Sequence, residues 1–441
     1  MIAFIIFFAG WPRLPVRPCL CGLRNGGKIN RKELVFRIYK GFYKGFSAYL
    51  FLTTKILQVR NFSVLLVAIP FCLLTRAQRV DAIDSLMQTV YPKEAPGAAL
   101  MIVKDGRMLF SKAYGLANLS TGVANSSNSN FNIGSVTKQF TAFCILELAA
   151  KHKLSLEDSL LHFFPGFHPA TGGIRVRQLL SHCSGIADHY GFTDTNKVKR
   201  ATDKDVLEAI EKAGQVYFTP GTQYRYSNTA YCLLGMIIEK VSGQSYADYV
   251  RQHIFLPLQM TQSRVLQAGQ AISKRSFGYE YDSSSKRFTK LDEKESIFFS
   301  TEADGGIYTS LNDYAKWMRF LENAGKATIK EARSPQFPVD SLQKLFYGFG
   351  WFVSDKARDR AVYHSGSNGG FRAFVYTIPS KKYQLVIFSN RTGIDLEELV
   401  ERLNKMAGIT NNSFTKIEAL VSFRECWPIF APCKETPLFS I

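Results

Sequence analysis

A chain of 441 residues, 46% hydrophobic and 21% charged, sits near globular averages, which excludes a disordered, collagen-like or polytopic membrane protein and leaves room for more than one folding unit. A net charge of +19 invites a nucleic-acid reading, but residues 1–80 carry 13 of the 55 Lys+Arg and one of the 36 Asp+Glu, leaving 42 bases against 35 acids. Most of the excess therefore lies in a leader, and no nucleic-acid partner is expected.

Within that leader two apolar stretches, Met1 to Trp11 and Phe62 to Leu74, each fall short of the roughly 18 to 20 residues that span a bilayer. The second follows Lys55 and Arg60 and precedes Thr75-Arg76-Ala77, the charged, apolar, small-residue order of a secretory signal cleaved after Ala77. Residues 61–77 are thus expected to be a signal peptide, residues 1–60 an upstream extension, and the product periplasmic or secreted. A leader that is kept would instead hold the protein to a membrane.

From Pro96 the punctuation is clear. Ala98 to Val103 and Met108 to Gly115 read as a hairpin around Lys104-Asp105-Gly106. Val136, Phe140, Cys144 and Leu148, with Ala142, Ile145 and Ala149 alongside, repeat at helical spacing and predict a mostly buried helix. Further helices are expected over Asp203 to Ala213 and Thr229 to Val241, the latter stopping near Gly243. Strands return at Tyr347 to Val353, Ala361 to His364, Phe371 to Ile378 and Tyr383 to Ser389. A lone N-terminal hairpin is not stable, so it should pair with the C-terminal strands in one antiparallel sheet, with a helical lobe over about residues 136–300 and a ligand cleft between them. The domain is expected over residues 82–408, with 409–441 as a tail. Cys19, Cys21, Cys72, Cys144, Cys183, Cys232, Cys426 and Cys433 show no spacing suited to a disulfide framework or a zinc site, and no metal or cofactor is expected.

Three short motifs carry chemistry. Ser135-Val136-Thr137-Lys138 places a hydroxyl and an amine three apart on one helical face, ahead of the apolar helix; the competing role for Ser135 is a helix-capping hydroxyl. The same Ser-x-x-Lys spacing occurs at Ser283, Ser341 and Ser413, without that strand-to-helix context. Tyr226-Ser227-Asn228 precedes the helix from Thr229; a tyrosine beside a lysine is a candidate general base, because a neighbouring cation favours the phenolate, and Asn228 offers an amide to a substrate carbonyl or to Lys138. The alternative is a buried, satisfied Tyr and an Asn cap. His364-Ser365-Gly366-Ser367 ends a strand and is followed by Asn368-Gly369-Gly370, which allows a substrate to approach the backbone closely. His189-Tyr190-Gly191 has the same outline.

In that order, Ser135-x-x-Lys138, Tyr226-x-Asn228 and His364-x-Gly366 resemble the motifs of the penicillin-recognising serine hydrolases, nearest the class C β-lactamase and D-stereospecific peptidase and esterase branch, over roughly Ala82 to Gly408. Gln178 to Gly185, Phe218 to Gly221 and Gly305 to Thr309 add to the likeness. Tyr226 and His364 depart from the Ser and Lys of the related class A set. The resemblance implies an α+β, β-lactamase/transpeptidase-like fold, an antiparallel sheet flanked by helices plus an all-helical lobe. It also implies roles: Ser135 as nucleophile, Lys138 and Tyr226 as proton acceptors, an oxyanion hole from the backbone N–H groups of Ser135 and Ser367, and His364 orienting Tyr226 or the substrate. Gly366 and Arg372 would line the substrate, a small ester, amide or short peptide. With His364 in place of a permanent cation, ester or peptide hydrolysis is favoured over β-lactam hydrolysis, and activity should fall as acid protonates a group near pH ~6.5. The competing functions are a non-catalytic binder of peptidoglycan peptides or β-lactams and a thiol hydrolase built on Cys183.

Overall fold

Alternation along the strands decides the architecture. Ala98, Leu100 and Ile102 belong to one hydrophobic core and Ala99 and Met101 to another, so the strand from Ala98 is apolar throughout because both faces of its sheet are covered. The computed structural model describes residues 78–409 except 190–200, 268, 292–300, 324 and 357–358. The leader and tail assignments, and the cysteines within them, lie outside the described residues.

Helix α1 (residues 78–90) leads to β1 (Ala98–Lys104), β2 (Arg107–Tyr114), β3 (Leu116–Asn118), β4 (Val123–Ala124) and β5 (Phe131–Asn132). A 3-10 turn, Gly134–Thr137, runs into α2 (Lys138–Ala150). The helical middle follows as α3 (Leu160–Phe163), α4 (Pro169–Gly172), α5 (Val176–Leu180), α6 (Asp203–Ala213), α7 (Asn228–Ser242) and α8 (Tyr246–Val250). Small ladders border it: β6 (Arg264–Val265), β7 (Tyr279–Asp282), β8 (Arg287–Lys290) and β9 (Ile307–Thr309). Then come α9 (Leu311–Asn323), α10 (Ala327–Ala332), β10 (Phe337–Asp340), β11 (Leu345–Tyr347), β12 (Phe352–Ser354), β13 (Ala361–Asn368), β14 (Phe371–Ile378), β15 (Tyr383–Ser389) and α11 (Leu396–Met406).

Eight strands form one antiparallel sheet in the order β10-β11-β12-β13-β14-β15-β1-β2, so the N-terminal hairpin docks on the C-terminal strands. One face packs α1 and α11 through Ile83, Met87, Leu399 and Leu403; the other carries α2 and α9. Phe140 of α2 stacks on Trp317 of α9 at 4.5 Å, and Gln139 Oε1 accepts from the Tyr314 hydroxyl at 2.6 Å and Trp317 Nε1 at 3.3 Å. Those contacts fix the helix that begins at Lys138. Among the described residues no helix is long and apolar enough to cross a membrane.

Two predicted strands differ in extent. Tyr347 to Val353 is not one strand: Gly348-Phe349-Gly350-Trp351 reverses the chain between β11 and β12, with Gly350 at φ 77 and Gly348 N donating to Trp351 O at 2.7 Å. The strand from Ala361 runs past His364 to Asn368, because β14 pairs with it as far as Phe371.

Candidate active site

Ser135 sits in the 3-10 turn rather than at a helix cap. The residue before the turn is Ile133 and no side chain caps it, so the capping role for Ser135 is not what the structure shows. In a 3-10 turn residues three apart eclipse, and Lys138 follows the turn directly. Its Nζ donates to Ser135 Oγ at 3.1 Å, to Asn228 Oδ1 at 2.7 Å and to the Asp304 carbonyl at 2.8 Å, with Lys138 fully buried. The other described Ser-x-x-Lys pairs differ: Ser283 and Lys286, and Ser341 and Lys344, lie exposed in hairpin turns.

Helix α7 brings the second motif. Ser227, not Asn228, caps it, its Oγ accepting from Ala230 N at 3.2 Å. Asn228 is thereby left to face Lys138, while its backbone N donates to Asp188 Oδ2 at 3.0 Å. Tyr226 packs over the same amine, with Lys138 Nζ 5.0 Å from its ring centre. Burial pushes the Tyr226 pKa well above its ordinary value of 10, and the Ser135 hydroxyl offsets only part of this. The two oxygens stop short of a well-formed hydrogen bond, and the buried Tyr226 hydroxyl has no partner. The expected phenolate is corrected on this point: burial raises the titration of the hydroxyl, and the resting side chain is a phenol.

His182 is a neighbour that motif spacing gave no reason to single out. It is fully buried at φ 56, its ring lies 4.2 Å from that of Tyr226 and 4.6 Å from that of Tyr347, and its Nδ1 accepts from Ser227 N at 3.2 Å. Burial, then Lys138 and His364, hold its pKa well below 6.5, so it backs Tyr226 as a neutral ring.

Strand β13 supplies the third wall. Strand β12 pairs only with Ala361 to Tyr363, and the Ser135 turn packs against the stretch beyond. A Cβ on Gly366 would lie 2.0 Å from Ile133 O and 3.3 Å from Ser135 N, and one on Gly134 (φ 50) would lie 2.7 Å from Ser367 N. Glycine at both positions is what lets the Ser135 and Ser367 amides come together. We expect Gly366→Ala to lower the melting temperature by several degrees and activity at least about 100-fold; a variant melting and working as wild type does would show this approach to be unimportant.

His364 is fully buried between Tyr347 and its own strand. Its Nδ1 lies 2.5 Å from the Ser365 carbonyl, which only accepts, so Nδ1 carries the hydrogen and Nε2 accepts from the Tyr347 hydroxyl at 3.0 Å. Its ring centre is 6.2 Å from that of Tyr226, so these hydrogen bonds do not orient Tyr226. Burial, then Lys138, pull its pKa down to about 3, which corrects the acid limb expected near pH 6.5: the ring is neutral throughout the neutral range.

The beta-lactamase family profile matches residues 81–405. The chain belongs to the beta-lactamase family. It is 30% identical over 324 residues to penicillin-binding protein 4* of Bacillus subtilis, covering 70% of this chain and 71% of that protein. It is likewise 30% identical over 333 residues to the protein flp of Staphylococcus aureus, covering 73% of this chain and 65% of that protein. Among solved structures, the octameric penicillin-binding protein homologue from Pyrococcus abyssi superposes with TM-score 0.63 at 26% identity, over 81% of this chain and 79% of that one. The D-amino acid amidase from Ochrobactrum anthropi shares the fold, with TM-score 0.62 at 22% identity over 74% of this chain and 99% of that one.

Within this beta-lactamase family member, the remaining candidates fall outside the cluster. Arg372 pairs in register with Ser367, on the sheet face opposite Gly366 and Ala373, and its Nη1 donates to Gly369 O at 3.2 Å and Phe371 O at 2.8 Å. The structure does not bring it to Ser135. Cys183 contacts Ser181 Oγ at 3.2 Å, and burial raises its thiol pKa, the reverse of an activated nucleophile. His189 bonds Thr229 Oγ1 at 3.1 Å. Asp203, Cys232 and Asp304 place ligand atoms within 4.8 Å of one another, the grouping among the described residues nearest to a metal site. Asp203 is already bonded to Glu302 N and Ala303 N at 3.2 Å each, and burial raises the pKa of both Asp203 and Cys232, which disfavours the deprotonated forms a metal needs.

The histidines also set an acid-stability limit. His364 titrates at about 3 in the fold and near ~6.5 unfolded, so the unfolded chain takes up its proton first. The stability from this site is complete above pH ~6.5 and is lost as pH falls toward 3. Glu302, pushed up to about 7 by burial and by Glu239 and Asp248, acts in the opposite sense over its own range. The informative readout is therefore a difference: melting temperature should fall on acidification more steeply in wild type than in His364→Gln. Parallel curves would contradict a buried neutral His364.

Proposed function

We propose that the protein is a serine hydrolase that cleaves an amide or ester through an acyl group carried on Ser135. The observation that carries this reading is the fully buried Lys138 amine on Ser135 Oγ, held there by Asn228 and the Asp304 carbonyl. In acylation the Ser135 Oγ forms a bond to the substrate carbonyl carbon while its proton passes to the Lys138/Tyr226 pair. The carbonyl oxygen becomes an oxyanion facing the Ser135 and Ser367 amides, donors usually worth about 10²- to 10³-fold each. The pair then returns the proton to the leaving amine or alcohol, and a water, deprotonated by the same pair, releases the acid and frees Ser135.

Because Tyr226 rests as a phenol, the reactive enzyme has lost one proton from the pair as a whole, and its rate rises with pH through an apparent constant belonging to both groups. A neutral His364 and an Arg372 on the far face leave this wall without the fixed cation suited to a substrate carboxylate. That supports a neutral amide or ester as substrate over a β-lactam. The fold neighbour from Ochrobactrum anthropi was solved with L-phenylalanine amide, and a small amino-acid amide is the first substrate to test.

The test is a panel of D- and L-amino acid amides, p-nitrophenyl esters and a chromogenic cephalosporin. We expect kcat/KM for the best amide or ester to exceed that for the cephalosporin by at least about 100-fold. Preference for the cephalosporin would overturn the substrate class; turnover of nothing, with no acylation, would leave a binding protein.

A further inference from the structure

A cavity separate from Ser135 lies among the described residues. It measures about 810 Å³ and lies between α9, α10 and the sheet, and no active-site residue lines it. This volume is within the usual range for a small-molecule site, roughly 300 to 1,000 Å³. Its floor is apolar: Met101 and Val103 of β1, Val362 of β13 and Ile329 of α10. Its charged lining is one-sided, with Arg319, Lys326, Lys330, Arg333, Arg360 and Lys382 against Glu322 alone.

Some of that charge is already matched. Arg360 is bidentate to Asp355 at 2.6 and 3.0 Å, and Lys326 lies 3.9 Å from Glu147. Arg333 is not matched. Its Nη2 donates to the neutral Thr377 hydroxyl at 2.8 Å, its guanidinium sits 5.5 Å from the Trp351 ring centre, and its buried Nε has no acceptor. Burial brings its pKa down to about 10, with Glu322 opposing from a distance. A half-buried guanidinium whose Nε is closed off from water, with no carboxylate on it, is unfavourable unless an anion reaches it.

We infer that this cavity binds an amphiphilic anion, an alkyl carboxylate whose head pairs with Arg333 and whose chain lies along Met101, Val103, Val362 and Ile329. Two features converge on this class: the unmatched guanidinium asks for a planar oxyanion, and the apolar floor gives a bare oxyanion nothing to bury against. A neutral alcohol of the same length would leave the arginine as it is.

The test is calorimetric titration of the full chain with decanoate, decanol and inorganic phosphate, repeated in Ser135→Ala to separate this cavity from the active site. We expect one saturable decanoate site per chain, unchanged in Ser135→Ala, weakened at least about tenfold in Arg333→Gln. The double variant Arg319→Gln, Lys330→Gln, altered at the cavity wall and able to fold if Arg333→Gln does not, should weaken decanoate several-fold. Decanol binding as tightly as decanoate, phosphate binding as tightly as decanoate, loss of the site in Ser135→Ala, affinity indifferent to both charge variants, or no binding would each overturn the proposal.

Discussion

Ser135→Ala should lower kcat for the best substrate by on the order of 10⁴- to 10⁶-fold while leaving the melting temperature within a degree or two of wild type. The size follows from chemistry that has no substitute: with the Oγ gone there is no acyl bond to form. The indifference of stability follows from the structure. Ser135 makes no cap, and Lys138 keeps Asn228 and the Asp304 carbonyl when it loses the hydroxyl. If the variant kept more than a tenth of the activity, the nucleophile would be another residue.

Lys138→Met separates function from stability more sharply. Removing the amine that touches Ser135 Oγ should slow acylation by at least about 10³-fold, the upper part of the range for a positioned base. Its effect on folding should be small, because two effects oppose. Methionine relieves the desolvation of a fully buried ammonium. Against this, the Asp304 carbonyl loses its donor, which costs about 1 to 3 kcal/mol, while Asn228, only partly buried, can turn to water. A variant inactive toward the substrate yet melting within a few degrees of wild type is the expected outcome. A collapse in stability would instead make Lys138 a structural residue first.

The sequence carried the strands and the Ser135 to Lys138 segment well because those features are local. Phe371–Ile378 and Tyr383–Ser389 match their predicted limits, and Asp203–Ala213 does too, since a capping Thr202 and a left-handed Gly214 mark its ends. Ser135, Lys138, Tyr226 and Asn228 were legible as short motifs, and the fold draws them together across 90 residues between Lys138 and Asn228. What could not be read depends on contacts between distant segments. The break at Gly348-Phe349-Gly350-Trp351 looks like continuous strand until β11 and β12 pair with each other. His182 backs Tyr226 only because α5 and the start of α7 pack together. The partner of His364 proves to be Tyr347, 17 residues away on β11, rather than Tyr226. The direction of a buried group's titration was equally hidden, because desolvation is set by the whole surrounding fold.

The most direct test of the central claim is intact-protein mass spectrometry after reaction with a fluorophosphonate, with the adduct located by peptide mapping. A single adduct on Ser135 is expected, absent in Ser135→Ala and formed at least about 100-fold more slowly in Lys138→Met. An adduct on another residue, or none on a folded protein, would contradict an activated Ser135.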